Sequence, residues 1–353
     1  MTPNAFFDLL APRRLVRAAT AFAMGFAVSQ SEVEQLGSKL EQIRDRGVLL
    51  CGVDTNLPGF AMQTGDGTWE GFEADLCRAY AAAFLGRADQ VRFVPLTTAE
   101  RFEAVSDGRA DILVRNTSWT LAREADLSVS FVGVYYHDGQ GFLTANDLGV
   151  ASARELDGAR ICVQSQTTTA LNLADYAQAF GVSFQPVEAD TAIAALRAYE
   201  AGACDALTND ISSLAGLRLQ LDDPSSHSLL PDVISKEPLG PVVSDADPRF
   251  ADTARWVLYA LIAAEEYGVT AQNARVIAET STNPELRRLL GAEGAVADAL
   301  GLDAEFALRA IEATGNYAEI FERHLGLESE LQLRRGLNAQ WTEGGLLYAP
   351  PFR

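Results

Sequence analysis

The chain has 353 residues, of which 48% are hydrophobic and 22% are charged, a composition typical of folded globular proteins rather than disordered ones. Its 28 basic and 48 acidic residues give a formal net charge of −20, which argues against nucleic acid and anionic lipid as partners, because both are bound by clustered lysine and arginine. From the length alone we expect two domains or one bilobed unit.

Residues 1–29 have the pattern of a targeting segment. Arginines within 13–17 precede the apolar run 18–26, and small residues follow at 27–29. The apolar run is too short to span a bilayer. We therefore predict a signal peptide and an exported protein, with an uncleaved amphipathic anchor as the alternative.

The rest of the chain alternates between helical and strand-like segments. A charged helix predicted over 33–46 is followed by strand 48–53, helix 72–85, strand 91–95, helix 99–107 and strand 111–115. A second series has strands at 160–164, 183–187 and 205–208, separated by helices at 169–179 and 192–201. This repeated order predicts two parallel, doubly wound α/β sheets.

The turn-rich segment 236–241 precedes a helix predicted over 248–266, which suggests that the chain returns to the first sheet. Beyond residue 270 the pattern is mostly helical, with helices predicted over 292–313 and 316–325. We predict lobe one from 30–139 and 238–270, lobe two from 140–237, and a helical C-terminal extension, 271–353, packed on lobe one.

The four cysteines lie in or beside predicted strands and helices. No two of them have the spacing of a zinc ribbon or a redox Cys-x-x-Cys motif, so disulfides are favoured over a metal site in an exported protein. Three pairings are possible. We favour Cys51 with Cys77 and Cys162 with Cys204, because each pair stays within one βα neighbourhood.

Open α/β sheets bind ligands beyond the carboxyl ends of their strands, so polar residues that follow the predicted strands are candidates for a cleft. They include Asp54, Asn56, Asn116, Ser118, Gln166, Thr167, Thr168, Asn209 and Asp210. Helix capping is the alternative role for Thr167 to Thr169 and for Asp210.

The segment Arg115–Arg123 places hydroxyls and an arginine where an apolar strand turns into a helix. Thr120 is predicted to cap a helix whose third residue is Arg123. A cation in a first turn opposes the helix dipole, so we expect an anion beside it that the exposed N–H groups help to bind. The alternative is that Arg123 pairs with Glu124 or Asp126 at the surface.

Several longer motifs lie between residues 40 and 353: LCG at 50–52, RNTSWTL at 115–121, YHDGQGF at 136–142, LNLADY at 171–176, ISKEPLGPVV at 234–243, GNYAEIFER at 315–323, RGLNA at 335–339 and YAPP at 348–351. Together they resemble the family 3 solute-binding proteins of bacterial amino-acid ABC transporters, and most of all the general L-amino-acid-binding periplasmic subgroup. The resemblance implies a type II periplasmic-binding-protein fold, with two sheets joined by a hinge.

The resemblance also implies roles for individual residues. Arg123 and Ser118 match positions that hold the ligand α-carboxylate, and Asp210 matches the position that holds the α-ammonium. Thr167 and Thr168 occupy a turn that adds contacts to the carboxylate.

Other positions depart from the family pattern or concern the ligand side chain. Asn116 stands where many relatives have a small residue, and Gln166 stands where relatives commonly have glycine. Asp54, Leu57 and Thr98 map near the ligand side chain, where an aspartate would repel an acidic group unless it is protonated or paired.

We therefore predict a periplasmic, monomeric binding protein that captures L-amino acids by lobe closure and delivers them to an inner-membrane ABC permease, without cofactor, metal or chemistry. The alternatives are a periplasmic enzyme of the dehydratase type and a ligand sensor on the same fold. His137, His227 and His324 fall at a hinge, a loop and a late helix, which argues against an enzyme. A preference for polar, uncharged ligand side chains is expected, unless Arg101 or Arg115 turns inward and favours glutamate or aspartate.

Overall fold

The computed structural model describes residues 37–54 and 56–353. The predicted targeting segment, 1–29, and the start of the helix predicted over 33–46 lie outside the described residues. The described part of that helix begins at Lys39, after a capping box in which the Ser38 hydroxyl accepts a hydrogen bond from the Glu41 N–H.

The helices are α1 (Lys39–Arg46), α2 (Phe72–Leu85), α3 (Arg101–Ser106), α4 (Leu121–Asp126), α5 (Thr168–Phe180), α6 (Ala192–Glu200), α7 (Ile211–Arg218), α8 (Pro248–Glu266), α9 (Ala274–Thr280), α10 (Pro284–Leu289), α11 (Val296–Ala299), α12 (Phe306–Thr314) and α13 (Tyr317–His324). The strands are β1 (Leu49–Val53), β2 (Met62–Gln63), β3 (Trp69–Glu70), β4 (Val91–Pro95), β5 (Ile112–Leu113), β6 (Val129–Phe131), β7 (Tyr136–Asp138), β8 (Gln140–Ala145), β9 (Arg160–Gln164), β10 (Gln185–Ala189), β11 (Ala206–Asp210), β12 (His227–Leu229), β13 (Glu237–Leu239) and β14 (Val242–Ser244).

Two five-stranded sheets form the centres of two lobes, here called the first and the second lobe. The strand order is β4-β1-β5-β14-β6 in the first and β10-β9-β11-β8-β12 in the second. β1 runs parallel to β4 and β5, and β9 runs parallel to β10 and β11, as the alternating pattern predicts. The exact lobe boundaries stay predictions.

Each of the two sheets, predicted as parallel and doubly wound, contains one strand that runs antiparallel to its neighbours. β14 is antiparallel to β5 and β6, and β8 is antiparallel to β11 and β12. Both strands follow a hinge strand directly, with no crossover helix of the kind that parallel pairing requires. The hinge strands, β7 and β13, pair with each other and set Asp138 opposite Glu237.

The helices after residue 270 belong to the hydrophobic core of the first lobe. Leu308 and Ile311 of α12 and Phe321 of α13 are buried in the same cluster as Phe72 of α2. The single helix predicted over 292–313 is wrong: α11 and α12 are separate, and Gly301 between them has a left-handed backbone with φ of 70°.

Both favoured disulfides are present. Cys51–Cys77 joins β1 to α2, and Cys162–Cys204 joins β9 to the residues just before β11. The described chain has no free cysteine. Over the same residues, no helix has both the length and the apolar character that crossing a membrane needs.

Candidate functional site

A cleft lies between the lobes, beyond the carboxyl ends of the parallel strands. Its empty volume is about 720 Å³, including the part that is open to solvent. The first lobe contributes Asp54, Asn56, Leu57, Thr97, Thr98, Arg101, Arg115, Asn116, Ser118 and Arg123 to its walls. The second lobe contributes Gln164, Thr167, Thr168, Thr169, Thr191, Ala192, Ile193, Asn209, Asp210 and Ser213.

Arg123 lines the cleft from the start of α4. The Thr120 hydroxyl accepts a hydrogen bond from the Arg123 N–H at 3.3 Å, so the predicted cap is confirmed. The guanidinium donates to the Ser118 carbonyl oxygen at 2.7 Å and lies 5.5 Å from the centre of the Phe102 ring. Burial lowers the pKa of Arg123, as expected of a cation whose hydration is incompletely replaced.

The alternative for Arg123, a surface ion pair with Glu124 or Asp126, does not form. No ion pair joins Arg123 to Glu124 or Asp126 in the described chain, and the Glu124 carboxylate accepts a hydrogen bond from Trp119 Nε1 at 2.7 Å instead. The charge of Arg123 is therefore available to an anion in the cleft.

Asp210 faces Arg123 from the second lobe. It is 3% exposed at the end of β11, and its side chain makes no capping hydrogen bond to α7, so the capping alternative is wrong. Burial raises its pKa well above the usual range, as do the charges of Asp138 and Glu237, while Arg123 acts in the opposite direction. A positive group placed beside Asp210 would therefore meet a poorly compensated buried acid.

In the turn between β9 and α5, the Thr167 side chain is used for local hydrogen bonds. The Thr167 hydroxyl accepts from the Ala170 N–H at 3.2 Å and donates to the Gln164 carbonyl oxygen at 2.7 Å, so Thr167 is a helix cap as well as a cleft residue. Gln166, predicted as a ligand-binding residue, is exposed and is not among the described residues that line the cleft. Its φ of 59° explains why glycine suits this position.

Asp54 forms an ion pair with Arg115. Asp54 Oδ2 lies 2.7 Å from Arg115 Nη2, and Arg115 also donates to the Leu96 carbonyl oxygen at 3.0 Å and the Thr98 hydroxyl at 3.2 Å. The repulsion that an unpaired Asp54 would exert on an acidic ligand is thereby reduced, because Arg115 balances its charge.

Arg101 is a further cation in the cleft wall, which is the alternative that the sequence leaves open for Arg101 and Arg115. It is 4% exposed, and its Nε is buried with no hydrogen-bond partner in the described chain. Burial, followed by the charges of Arg115 and Arg123, lowers its pKa well below the usual range. Arg101 is the first residue of α3, so its charge opposes the helix dipole as the charge of Arg123 does.

Hydrogen bonds join the two lobes across the cleft. Asn116 Nδ2 donates to the Ser213 hydroxyl at 3.1 Å, and Gln164 Nε2 donates to the Thr98 hydroxyl at 2.8 Å. The described conformation is therefore closed. Asn116, predicted as a ligand residue, contributes at least as a bridge between lobes, and its partner Ser213 was not predicted.

Residues 49–327 match the family described as "Bacterial extracellular solute-binding proteins, family 3". The chain belongs to this family. Its relatives include the glutamate/glutamine/aspartate/asparagine-binding protein BztA of Rhodobacter capsulatus, 46% identical over 353 residues and the full length of both chains. The general L-amino acid-binding periplasmic protein AapJ of Rhizobium johnstonii is 46% identical over 316 residues, which are 89% of this chain and 92% of AapJ.

Solved structures agree with the fold of this solute-binding protein. An ABC transporter / periplasmic binding protein from Brucella ovis with glutathione bound is 46% identical, with a TM-score of 0.87 over 90% of this chain and 99% of that chain. A cysteine-binding protein from Campylobacter jejuni, 20% identical with a TM-score of 0.58 over 69% of this chain and 93% of that one, supports the fold alone. The predicted type II bilobed fold is confirmed.

One buried acid of this solute-binding protein lies directly behind the cleft. Glu73 on α2 is fully buried, and its Oε1 accepts hydrogen bonds from the Asn116 N–H and the Tyr135 hydroxyl. Burial raises its pKa to about 8, although both hydrogen bonds act in the opposite direction. Its Oε2 has no partner in the described chain, which suits a protonated, neutral carboxyl group.

Glu73 should make the protein less stable as the pH rises. Its folded-state pKa of about 8 lies above the ordinary 4.5, so the stability contributed by the neutral form is complete below about pH 4.5 and is lost as the pH rises through 8. Glu73→Gln mimics the neutral form. We expect the unfolding free energy of the wild type to fall relative to Glu73→Gln between pH 5 and 8 by up to roughly 1.4 kcal/mol per pH unit. Denaturant titrations of both proteins at several pH values measure this difference, and parallel pH profiles would contradict it.

Proposed function

We propose that this protein binds an L-amino acid between its lobes, in the periplasm and as a monomer, and delivers it to an ABC permease without chemical conversion. Arg123 and Asp210, on opposite lobes, line one cleft, and this arrangement is the main support for the proposal. A zwitterion carries one anion and one cation. A cleft with a cation on one wall and an acid on the other can therefore bind both ends of it and favour the closed state.

The hydroxyl groups of Ser118 and Thr168, near this pair, are not free to donate a hydrogen bond to the ligand carboxylate. Ser118 and Thr168 both donate to Glu237. Each hydroxyl has a single proton, so in this arrangement it can only accept a hydrogen bond from the ligand. We therefore assign the α-carboxylate mainly to Arg123 and to backbone N–H groups, and the α-ammonium to Asp210 with Ser118 or Thr168 as acceptors.

An acidic or amide side chain is the ligand chemistry that suits the remaining wall. Among the described lining residues, three arginines face two aspartates, and Arg115 is already paired with Asp54. Arg101 is buried, and its Nε has no hydrogen-bond partner among the described residues, which is costly unless the ligand supplies an acceptor. The name of BztA includes glutamate, glutamine, aspartate and asparagine, and this range fits the same chemistry.

The three histidines of the chain give no support to an enzyme. His137, His227 and His324 all lie in the described chain, and none of them lines the cleft. We therefore propose capture and release rather than proton-transfer chemistry.

A thermal-shift and calorimetric screen tests this function. The panel contains the common L-amino acids, glutathione, and a sugar and a metal salt as negative controls. A ligand present at a hundred times its Kd should add roughly 2.7 kcal/mol to the free energy of unfolding. We expect glutamate, glutamine, aspartate or asparagine to give the largest shifts. Binding of only sugars or metals would reject the proposal.

Arg101 gives this proposal a specific mutational test. Arg101→Met should weaken glutamate binding by about ten- to a hundredfold, because a hydrogen bond to a charged group is lost, and should weaken alanine binding much less. The empty protein should keep its stability, since the variant removes a buried cation whose Nε has no partner in the described chain. Isothermal titration with both amino acids measures the two affinities.

Arg109→Met is the matched control for this test. Arg109 lies on the same lobe but is 46% exposed as a side chain and pairs with acids at the surface, so its loss should leave both affinities unchanged. Equal losses of glutamate and alanine affinity in Arg101→Met would contradict a role in side-chain recognition.

A further inference from the structure

Glu237 lies in the hinge, at the start of β13, and is 2% exposed. It is absent from the cleft wall, so it is not positioned as a ligand contact. Its place in the hinge ladder is opposite Asp138, whose carboxylate accepts a hydrogen bond from the Ser212 hydroxyl of the second lobe. The hinge therefore presents acidic side chains to the base of both lobes.

The Glu237 carboxylate collects donors from three separate parts of the chain. Its Oε2 accepts from the Ser118 hydroxyl of the first lobe and from the Thr168 hydroxyl of the second lobe at 3.1 Å. Its Oε1 accepts from Asn172 Nδ2 of α5 at 2.6 Å and from the Ser235 hydroxyl at 2.6 Å. One oxygen thus binds a donor from each lobe at once.

Backbone hydrogen bonds hold the segment around Ser118 to the hinge strand β13. The Trp119 N–H donates to the Pro238 carbonyl oxygen at 2.8 Å, and the Gly240 N–H donates to the Thr117 carbonyl oxygen at 3.1 Å. Thr168 and Asn172 have no such backbone tie to β13 among the described hydrogen bonds. They are joined to Glu237 by side-chain hydrogen bonds alone.

We propose that Glu237 is a closure latch: a positioning residue that joins the start of α5 to Ser118 when the lobes close and so slows ligand release. The inference rests on the proposed function in that closure retains a ligand, but it concerns a residue that does not touch the ligand. A contact made only after closure lowers the dissociation rate and leaves the association rate nearly unchanged, because the ligand enters the open cleft.

The test compares L-glutamate kinetics in the wild type, Glu237→Gln and Asn172→Ala by stopped-flow mixing. Glu237→Gln keeps the size of the side chain but replaces one acceptor oxygen by a donor. We expect its dissociation rate to rise about tenfold, with an association rate within about twofold of the wild type. Asn172→Ala removes a half-buried donor that does not line the cleft, and should raise the dissociation rate about threefold. In the double variant, the rise in dissociation rate should be smaller than the product of the two single rises, since both substitutions remove the same contact between Asn172 and Glu237.

Glu265→Gln is the control for loss of a buried carboxylate. Glu265 binds Arg335 at 2.8 Å, within the chain after residue 248, and should affect stability without changing ligand release. If Glu237 is a latch, Glu237→Gln and Asn172→Ala should speed ligand release with little change in stability. Unchanged dissociation rates in both of them, or a parallel fall in association rate, would overturn the latch.

A second measurement does not depend on the ligand. Spin labels on Leu121→Cys and Leu171→Cys, at side chains 85% and 68% exposed on α4 and α5, report the distance between the lobes. Glu237→Gln should shift the distance distribution towards longer values, and identical distributions would overturn the latch. If the wild type binds no member of the amino-acid panel, the proposed function fails and the distance measurement alone decides the latch.

Discussion

Replacing Arg123 or Asp210 by alanine is expected to weaken binding of the best amino-acid ligand by about thirty- to several-thousand-fold. Truncating one partner of a desolvated, hydrogen-bonded charge pair costs roughly 2 to 5 kcal/mol. In the proposed site, each variant would leave one end of the zwitterion buried against the cleft without its counter-ion. Isothermal titration of both variants with that ligand measures the loss.

Asp205→Ala is the matched control for Asp210→Ala. Asp205 lies just before β11 and Asp210 ends it, but Asp205 pairs with Arg160 at the surface of the second lobe. Its loss should change stability by about 1 kcal/mol or less and leave affinity intact. The unliganded Arg123→Ala and Asp210→Ala proteins should unfold near the wild-type denaturant midpoint. Near wild-type affinity in either would remove that residue from the site.

Removing the Cys51–Cys77 disulfide through Cys51→Ala and Cys77→Ala is expected to lower the free energy of unfolding by about 3 to 4 kcal/mol. The bond closes a loop with a sequence separation of 26 residues, and the chain-entropy estimate for a loop of this length gives that value. Both sulfurs are buried between β1 and α2, so some packing is lost as well. Denaturant titration of the double variant measures the change.

The Cys162–Cys204 pair provides a comparison within the same protein. Its separation of 42 residues predicts a slightly larger effect, also about 4 kcal/mol. Peptide mapping of protein exported to the periplasm should recover both cystine-linked peptides. Four free thiols in that material would contradict the prediction, and so would double variants as stable as the wild type.

The sequence predicts four elements with the bounds that the structure shows: Phe72–Leu85, Val91–Pro95, Arg160–Gln164 and Pro248–Glu266. Each combines an apolar pattern of the right period with a local stop or start signal, such as Gly86 after α2 or Pro248 at the start of α8. The directions of β8 and β14 could not be predicted in this way, because the direction of a strand depends on how the chain crosses the hinge.

Part of the candidate site is also predictable from local sequence signals. Arg123 stands at a helix start where its charge is unfavourable, and that local conflict makes it a candidate for binding an anion. Arg101 lies at the start of α3 with the same conflict, but from the sequence it is only an alternative contact for an acidic ligand side chain. Gln166 is among them because of its place in a turn, but its side chain does not line the cleft wall.

By itself the sequence determined the family, the two α/β lobes and the residues that follow the strands, because all of these depend on local period, spacing and motif. It favoured one of three cysteine pairings, and the tertiary structure decided between them. Only the tertiary structure decided which charges meet. Asp54 is balanced by Arg115, the Nε of Arg101 is left without a partner in the described chain, and Glu237 joins Ser118 to α5. These outcomes depend on contacts between segments tens to more than a hundred residues apart, and the energy of a buried charge is set by those neighbours rather than by its place in the sequence.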